Sequence, residues 1–561
     1  VADRPVGHAD GKYFLLSSAG ELRSIAGKDL EAGKMVFDLF VGGEVGGTPV
    51  EDWLEVYFPQ RARRADPAHS GFDARAAGRW LMRCCRIEGL MNPRAEVRSL
   101  GLWRGKGGAA MVHAGEHVVW AGGARAAGFR GSGREIYPAS AGDEFEGAEM
   151  SAMPAADCAD YRIRLAALRD DIQAGWAWSR EDDCAAWWGW LGQAALGAYP
   201  GWRAHLWTYG KRGSGKSTLA ETAAALLGPM SHGLWNDITE AAVRQSADRQ
   251  SRAFLFDERE PSPEGIGKLQ ALVELFRNLS GGGARVQRGS SDHGGRSFVL
   301  NGAGSLSSIL PPPLDPQDAS RFVVLGLDPR RRREAADLAR LARIVRERGV
   351  LGAELWRYVL AQAHRWDPTV AAYRGLVEGM GGEPRDAETI GAVLAGYDLL
   401  FEAAPEPSAE RLELRAPAAR ALLEAAQAAA EMGEGEQCLS RLLDTTVHFG
   451  AGKSHHLARL VYHGIHGDEM QRGEARRCLS RLGLRVRSGD AGGELLITPR
   501  KHAGLDASVY ARTRWAAGGH AAALKLLDGV RVGPPTKVGG ANVRPIVVPE
   551  RHLPDFAGEP D

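Results

Sequence analysis

The sequence predicts an α/β fold: a parallel sheet with helices on both faces, flanked by a small N-terminal α+β domain and a helical C-terminal region. The first indication is an apolar run at residues 204–209, followed by a glycine-rich loop at 210–217 and a strong helix former at 219–227. A second apolar run, at residues 252–256, ends in two acids. A third run, at 297–301, ends in a polar residue, as strands that line a site often do.

The glycine-rich loop has the form G-x-x-x-x-G-K-S and runs from Gly210 to Ser217. Glycines let backbone N–H groups turn inward around an anion, and the start of the following helix adds a favourable dipole. Lys216 is expected to reach the β- and γ-phosphates of a nucleotide, and Ser217 to hold Mg²⁺. A chain with 72 Gly could match this pattern by chance, but the flanking strand and helix favour a phosphate-binding loop. The predicted nucleotide-binding residues are Gly210, Arg212, Gly213, Ser214, Gly215, Lys216, Ser217 and Thr218.

The acids Asp257 and Glu258 follow the second apolar run, some 40 residues beyond the loop. Carboxylates at the end of a parallel strand beside a phosphate loop are what nucleotide hydrolysis requires, since phosphoryl transfer depends on positioning and charge. Asp257 is expected to bind Mg²⁺ together with Ser217. Glu258 is expected to polarise the attacking water.

Two further residues are candidates for hydrolysis. Asn301 ends the third apolar run, and we expect it near the γ-phosphate, where its amide would orient the water. Arg321 stands immediately before the apolar run Phe322–Leu325 and could insert into a neighbouring subunit's site as an arginine finger. Its spacing alone fits an ordinary surface arginine equally well.

Residues 281–296 are short, punctuated by glycine and locally basic, which suits a β-hairpin whose tip projects from the domain. A solvated loop is the alternative interpretation. The candidate residues of this segment are Arg285, Arg288, His293 and Arg296.

The bulk composition of the 561 residues is that of a globular protein of several domains. Lys+Arg and Asp+Glu number 70 each, so nucleic-acid binding would depend on local patches. The six cysteines show no metal-ligand spacing, which is typical of reduced thiols in a cytosolic protein. No apolar run approaches the roughly 20 residues that span a bilayer, and no signal-peptide pattern is present at the start, so we expect a cytoplasmic protein without a membrane partner.

Breaks in composition divide the chain into six predicted parts. Three helices and a basic hairpin between residues 437 and 498 form a winged-helix pattern, which serves in DNA binding or in protein contacts. The predicted parts are an N-terminal α+β domain (1–135), a linker and helices (136–198), the nucleotide-binding core (199–330), a helical region (331–432), a winged-helix-like domain (433–500) and an α/β cap (501–561).

The order of P-loop, acidic strand, basic hairpin, Asn301 and Ser320-Arg321-Phe322 resembles AAA+ ATPases of the clade with a hairpin before sensor 1, which contains superfamily 3 and MCM-type hexameric helicases. The chain looks more closely like phage and prophage replicative helicases, including the helicase halves of primase-helicase proteins. The matching segments are Gly201–Gly210, Pro311-Pro312, Ala319-Ser320-Arg321 and Thr513–Gly519.

The resemblance implies an ATP- and Mg²⁺-dependent DNA helicase that works as a ring, with six subunits the expected number, in the cytoplasm of a bacterial host cell. Single-stranded or forked DNA would pass through a central pore lined by the hairpins. A primase or other replication proteins are expected partners, since no primase motif is visible in this chain. The hairpin lacks the Lys-His tip typical of superfamily 3. The arginine that acts as sensor 2 is not placed, with Arg343, Arg346 and Arg357 as candidates.

Two other functions remain open at this point. One is a replication initiator that binds and melts an origin through the winged-helix pattern. The other is an AAA+ remodeller of protein partners with no role on DNA. ATP turnover unaffected by single-stranded DNA in an assembled ring would favour the remodeller, and a strong specific footprint with weak unwinding would favour the initiator.

Overall fold

The computed structural model describes residues 4–34, 36, 44–45, 48–60, 71–141, 145–236, 238–257, 266–282, 284–288, 296–309, 314, 316–329, 335–431, 434–448, 454–489, 492–510, 513 and 515–554. Among the helices in these ranges, none is both long enough and apolar enough to cross a lipid bilayer.

The N-terminal region consists of small antiparallel sheets and short helices. Its elements are β1 (Arg4–Ala9), β2 (Lys12–Leu16), β3 (Leu22–Ala26), α1 (Gly27–Glu31), β4 (Glu44–Val45), β5 (Thr48–Pro49), α2 (Val50–Tyr57), α3 (Ala74–Glu88), α4 (Pro93–Glu96), β6 (Gly101–Arg104), β7 (Ala110–His113), β8 (His117–Trp120), β9 (Gly123–Ala126), β10 (Phe129–Arg130) and β11 (Ile136–Tyr137). Asp73 caps α3 by accepting from two backbone N–H groups, and Leu81 and Cys85 bury one face of this helix.

Strands β6 to β9 form a meander in sequence order. Strand β11 lies at the start of residues 136–198, which the sequence assigned to a linker and helices. The meander contacts the central sheet through Ser251, whose N–H donates to Leu100 O at 2.8 Å and whose hydroxyl donates to Leu102 O in β6. The N-terminal region is therefore hydrogen-bonded to one end of the central sheet.

The central region alternates strands and helices. Its elements are α5 (Ala155–Gly175), β12 (Ala177–Trp178), α6 (Asp183–Ala195), β13 (His205–Tyr209), α7 (Lys216–Leu227), β14 (Ser231–Trp235), α8 (Glu240–Ser246), β15 (Ala253–Phe256), α9 (Ile266–Ser280), β16 (Ala284–Arg288), β17 (Arg296–Leu300), β18 (Gly304–Ser308), α10 (Pro316–Ala319) and β19 (Phe322–Asp328). Thr239 caps α8 through its hydroxyl, which accepts from Ala242 N at 3.3 Å, as its position in the sequence predicts.

Six of these strands form one mixed sheet in the order β12-β19-β13-β18-β15-β14. All neighbours are parallel except β12, which runs antiparallel to β19 at the edge. Successive side chains of a strand point to opposite faces of the sheet, so they pack alternately into the two cores that cover it. Leu255, for example, packs with one face and its neighbours Phe254 and Phe256 with the other. The predicted parallel sheet with helices on both faces is thus an observed feature of the central region.

Strands β16 and β17 lie outside this sheet and pair with each other as an antiparallel hairpin. Its register joins Ala284 to Leu300 at the base and Arg288 to Arg296 nearest the tip. The tip itself, with His293, lies outside the described residues.

The helices that follow the sheet are α11 (Ala335–Gln362), α12 (Trp366–Gly379), α13 (Pro384–Phe401) and α14 (Ala409–Glu431). The tryptophans of α6 are fully buried in the cluster that these helices share with the sheet. Helices α6 and α13 approach so closely that a Cβ added at Gly189 would overlap the carbonyl oxygen of Val393. Glycine is required there because the two backbones are in direct contact.

The C-terminal module has a second core of its own. Its elements are α15 (Glu434–Leu443), β20 (Thr446–His448), β21 (Ser454–His456), α16 (Leu457–His466), α17 (Glu469–Arg481), β22 (Leu484–Gly489), β23 (Gly492–Ile497), α18 (Ala503–Ser508), α19 (His520–Leu524), β24 (Arg531–Val532), β25 (Thr536–Val538), β26 (Ala541–Val543) and β27 (Ile546–Pro549).

The order of three helices and a hairpin in this module matches the sequence-based expectation for residues 437–498. The last strand, β27, pairs with β23 of that hairpin, and the core includes side chains from both sides of residue 500. The predicted boundary between residues 500 and 501 therefore does not separate two cores. Local composition suggested a break there, but the chain returns to complete the same sheet.

Candidate active site

The P-loop connects β13 to α7, as the sequence predicts. Gly213 and Gly215 adopt φ values of +85° and +90°, which side-chain-bearing residues rarely adopt, so these two glycines are conformationally required. Lys216 begins α7 and folds back over the loop, with its Nζ donating to Gly210 O at 2.5 Å. The lysine charge therefore stands over the mouth of the loop, next to the helix N-terminus, where an anion is favoured.

The P-loop is held in place by contacts with β19 and with Trp176. A Cβ on Gly210 would overlap the carbonyl oxygen of Leu327, so the loop lies directly on the end of β19. The buried indole of Trp176 donates to Gly215 O at 3.0 Å. Ser214 is buried, and its hydroxyl has no hydrogen-bond partner among the described residues. Ser217 and Thr218 are partly exposed in the first turn of α7, within reach of the mouth of the loop.

Asp257 follows β15, so it lies with the P-loop at the carboxyl ends of the parallel strands. These strand ends form the nucleotide edge of the sheet. The Asp257 side chain is buried, and its backbone N–H donates to Trp235 O at 3.1 Å. Between β13 and β15 lies β18, so the residues at its end separate the loop from the carboxylate. Glu258 is outside the described residues, and its predicted role stays a prediction.

Ser307 and Ser308 fill the space between the loop and the carboxylate. The Ser307 hydroxyl donates to Asp257 Oδ1. The Ser308 carbonyl accepts from Gly210 N at 3.2 Å, and its hydroxyl accepts from Trp207 Nε1 at 2.8 Å. The P-loop, Ser307 and Asp257 thus form one continuous hydrogen-bonded edge.

Asn301 does not lie at this edge. It precedes β18 and forms a β-bridge with Ser251, which itself precedes β15, so both residues lie at the opposite ends of the parallel strands. Seven residues of extended chain separate Asn301 from Ser308, about 23 Å at the usual strand rise. The predicted position of Asn301 beside the γ-phosphate is therefore wrong.

The reason lies in β17 and β18. The apolar run 297–301 belongs to the hairpin, whereas the strand of the central sheet is Gly304–Ser308, with the sequence GSLSS. Because β18 is short and rich in small polar residues, its hydrophobic pattern is weak. The sheet topology could have located β18. The strand between β13 and β15 must be parallel to both, and β17 is already paired antiparallel in the hairpin.

Arg321 lies at the same far edge, immediately before β19. The strand spans about 20 Å, so the guanidinium cannot reach the P-loop of its own chain. Its Nη1 donates to the Gln317 carbonyl, and its Cζ lies 5.8 Å from the centre of the Trp202 ring. Burial lowers the pKa of Arg321, and the positive charge of Arg385 lowers it further.

Arg385 is a further arginine on this side of the sheet, which the sequence did not single out. It lies exposed in the first turn of α13 and has no ion pair with any residue in the described part of the chain. Thr389, one turn further on, donates its hydroxyl to Ser320 O at 2.8 Å and so holds α13 against the segment that carries Arg321. No local sequence signal marks Arg385, because its place beside Arg321 arises only when α13 packs on the sheet.

The three arginines proposed from sequence for the sensor 2 role are engaged elsewhere. Arg343 pairs with Asp171, Arg346 with the adjacent Glu347 at 3.0 Å, and Arg357 with Glu149 at 2.7 Å. Arg277, near Arg321, is likewise committed to a two-pronged pair with Asp318 at 2.6 and 2.8 Å. Arg321 and Arg385 differ from these arginines in forming no ion pair with a carboxylate of the described residues, although the nearby Asp318 still raises the pKa of Arg321.

In the hairpin, the structure describes the backbone positions of Arg285, Arg288 and Arg296. Arg288 and Arg296 are directly opposed in the register at the last described pair, and Arg285 lies opposite Val299. The three arginines thus lie on one two-stranded ribbon that is separate from the central sheet.

Comparisons with solved structures found weak similarities. They include a full-length MCM homolog from Methanopyrus kandleri (16% identity, 57% of this chain and 74% of that chain, TM-score 0.30) and the NrS-1 C-terminal region (11%, 79% and 92%, TM-score 0.26). Another is the JCV helicase with a bound small molecule (14%, 47% and 72%, TM-score 0.19). No protein-family profile and no curated protein matches the chain. At these TM-scores the similarities are too weak to assign an activity to this chain.

Proposed function

We propose that this protein is an ATP-driven DNA helicase that assembles as a ring, with six subunits the expected number, and that acts in the replication of phage or integrated-element DNA. One observation carries the proposal furthest. The P-loop and Asp257 share one edge of the central sheet, whereas Arg321 stands about 20 Å away at the other. A chain with half a nucleotide site at each edge can complete the site only with a second copy.

The nucleotide half of the site would hold ATP and Mg²⁺. Lys216 would leave its bond to Gly210 O and turn to the β- and γ-phosphates, while the N–H groups of the loop bind the phosphate oxygens. The Ser217 hydroxyl and the Asp257 carboxylate are oxygen ligands of the kind that Mg²⁺ prefers. Mg²⁺ would neutralise charge on the phosphates, and Glu258 would orient the attacking water. Ser307 would hold the Asp257 carboxylate.

The other half of the site would be supplied by the neighbouring copy. Its Arg321 would approach the γ-phosphate as charge moves onto the leaving group, the role in which an arginine finger contributes roughly 10³–10⁵ in rate. Arg385 beside it would add a second positive charge. Two adjacent guanidinium groups without carboxylate partners repel each other, and a bound phosphate would relieve that repulsion.

The DNA contact would come from the β16–β17 hairpin. Arg285, Arg288 and Arg296, with His293 at the tip, would bind phosphates of a single strand in the centre of the ring. The hairpin connects directly to β18, which carries Ser307, so a change at the nucleotide edge can move the hairpin base. Because phosphate contacts read no bases, translocation would be tolerant of sequence and sensitive to salt.

The proposal is tested by mixing two inactive variants. Lys216→Ala removes the phosphate contact of one half-site, and Arg321→Ala removes the charge supplied by the other. Each variant alone should lack ATP turnover and unwinding of forked DNA. Mixed before assembly, they should regain both activities, because some interfaces then join an intact P-loop to an intact arginine. Mixtures as inactive as the separate variants would contradict a shared site.

DNA dependence separates the remaining alternatives. A helicase of this kind should turn over ATP faster with single-stranded DNA and should unwind forks of any sequence. Mixed rings that hydrolyse ATP without any response to DNA would instead identify a remodeller of protein partners. Strong binding to one duplex sequence with weak unwinding would identify an origin-binding initiator.

A further inference from the structure

Helix α17, in the C-terminal module, presents an unusual exposed face. Ala475 and Leu479 bury the opposite side of the helix in the core of the module. The N-terminus is fixed by a capping box, in which Asp468 accepts from Gln471 N at 2.8 Å and the Gln471 side chain accepts from Asp468 N at 3.0 Å. The orientation of α17 is thus set by both its core contacts and its cap.

The exposed face is symmetrical. At about 100° per residue, Glu469 in the first turn and then two small residues run along its centre, and a pair of arginines one turn apart flanks each side. The small residues are Gly473 and Ser480, and a Cβ at Gly473 would meet no atom within 4 Å. The flanking pairs are Arg472 with Arg476, and Arg477 with Arg481, all four exposed.

These four charges are not neutralised within the described residues. None of the four arginines forms an ion pair there, and the one recorded side-chain contact is Arg477 Nε to Gly473 O at 3.3 Å. The nearby acid Glu474 lies toward His455, at 3.8 Å. Four exposed like charges on a 13-residue helix, left without partners, indicate a surface selected for an anionic ligand.

The position of α17 in the module indicates the kind of anion. It is the second of two packed helices and is followed by the antiparallel β22–β23 hairpin, an order that defines winged-helix modules. In such helix pairs the second helix enters the major groove of DNA. A helix of about 10–12 Å diameter matches a groove about 12 Å wide, so flanking arginines reach the phosphates on both sides.

We propose that α17 is a duplex-DNA-binding surface, separate from the hairpins that would contact a single strand. The small central residues allow the helix backbone to approach the base edges, while Arg472 and Arg476 bind one phosphate backbone and Arg477 and Arg481 the other. An acidic helix of a partner protein would meet only one of the two arginine rows. The symmetry of the face therefore favours a duplex.

The test uses the full chain without nucleotide and a short fluorescent duplex, with binding followed by anisotropy over a range of salt concentrations. Replacing all four arginines of the face by alanine should weaken duplex binding by at least about tenfold and reduce the slope of log K against log salt by about 3 units. The matched control removes four exposed arginines of the N-terminal region that also lack ion pairs with described residues: Arg75, Arg79, Arg83 and Arg94.

A second variant tests whether a loss of duplex binding could come from a folding defect. Gly473→Glu places a negative charge at the centre of the face in open space, so it should abolish duplex binding without lowering the thermal unfolding midpoint. The control is Gly349→Glu, at another open position of a helix. Duplex binding unchanged by both α17 variants, or weakened equally by the controls, would overturn the proposal and leave the face to an acidic protein partner. Because neither nucleotide nor hydrolysis enters the measurement, failure of the proposed ATPase would not affect this result.

Discussion

Ser307 donates its hydroxyl hydrogen bond to Oδ1 of Asp257, across the junction of two parallel strands that are fifty residues apart in sequence. The bond fixes the carboxylate that would hold Mg²⁺, on the strand that lies directly between it and the P-loop. It also links the nucleotide edge to β18 and, through the same stretch of chain, to the base of the hairpin. Substitutions at the nucleotide edge and in the hairpin should therefore change measurable activities.

Ser307→Ala should lower ATP turnover by roughly ten- to a hundredfold, the equivalent of the roughly 1.5–3 kcal/mol of a hydrogen bond to a charged group. Nucleotide affinity should change much less, because the P-loop is untouched. Turnover and affinity are measured on the same preparations. Ser308→Ala is the matched control, since its hydroxyl bonds to Trp207 and not to Asp257. An Asn301→Ala variant that loses more activity than Ser307→Ala would contradict this assignment.

Arg385→Ala should lower the turnover of assembled rings by about tenfold or more while leaving nucleotide affinity nearly unchanged, because its charge would act on a neighbour's phosphate during the reaction. The comparison is with Arg346→Ala, an arginine whose side chain is 68% exposed and which pairs only with the adjacent Glu347. Steady-state kinetics at protein concentrations above and below that needed for ring assembly would measure this loss of turnover. Equal behaviour of the two variants would remove Arg385 from the site.

Arg288→Ala should remove the stimulation of ATP turnover by single-stranded DNA, together with unwinding, because a phosphate contact of the hairpin is lost. Turnover without DNA should persist, since the substitution changes neither the P-loop nor Asp257. The control is Arg79→Ala, an exposed arginine of α3. If Arg288→Ala unwinds forks at the normal rate, the hairpin is not the DNA-contacting element.

Gly189→Ala should destabilise the protein by about 1–3 kcal/mol, because the added methyl group would overlap the backbone of Val393 and force α6 and α13 apart. At Gly375, in the middle of α12, a Cβ would meet no atom within 4 Å, so Gly375→Ala should instead stabilise by about 0.5–1 kcal/mol. Urea unfolding of the two variants and the wild type measures the change in the free energy of unfolding for each. Destabilisation by Gly375→Ala would contradict the open position.

The stability of the sheet should fall in mild acid because of His205. Burial lowers the pKa of His205 to about 3, and its neutral ring is satisfied by Phe276 O at 2.8 Å and Gly304 N at 2.9 Å. The unfolded chain takes up a proton near pH 6.5, whereas the folded chain does not until about pH 3. Stability is therefore full above pH 6.5 and is lost as the pH falls below it, by about 2 kcal/mol at pH 5.

The measurement compares the free energy of unfolding of wild type and His205→Gln between pH 7 and pH 5. The glutamine amide can donate and accept as the neutral ring does, but it does not titrate. The difference between the two proteins should shrink as the pH falls. A constant difference over this range would show that folding does not change the pKa of His205.

The features that could be predicted from sequence are those encoded within a few adjacent residues. The P-loop needs glycines at fixed spacing before a helix, and the Asp257 strand needs four apolar residues before an acid. The basic hairpin needs glycines around alternating residues, and its two paired strands occur where the pattern indicated. In each case the local backbone preference and the chemistry point to the same structure.

The sequence by itself determined the phosphate loop, the acidic strand and the apolar faces of most helices, because each depends on residues that are neighbours in the chain. Only the tertiary structure decided that Ser307 rather than Asn301 lies beside Asp257, since that choice depends on which strand enters the sheet between two others. Packing of α13 on the sheet brought Arg385 to Arg321, across more than sixty residues. The return of β27 to β23 likewise made one module of residues on both sides of position 500. Contacts of this kind arise from chain topology, which no local spacing of residues records.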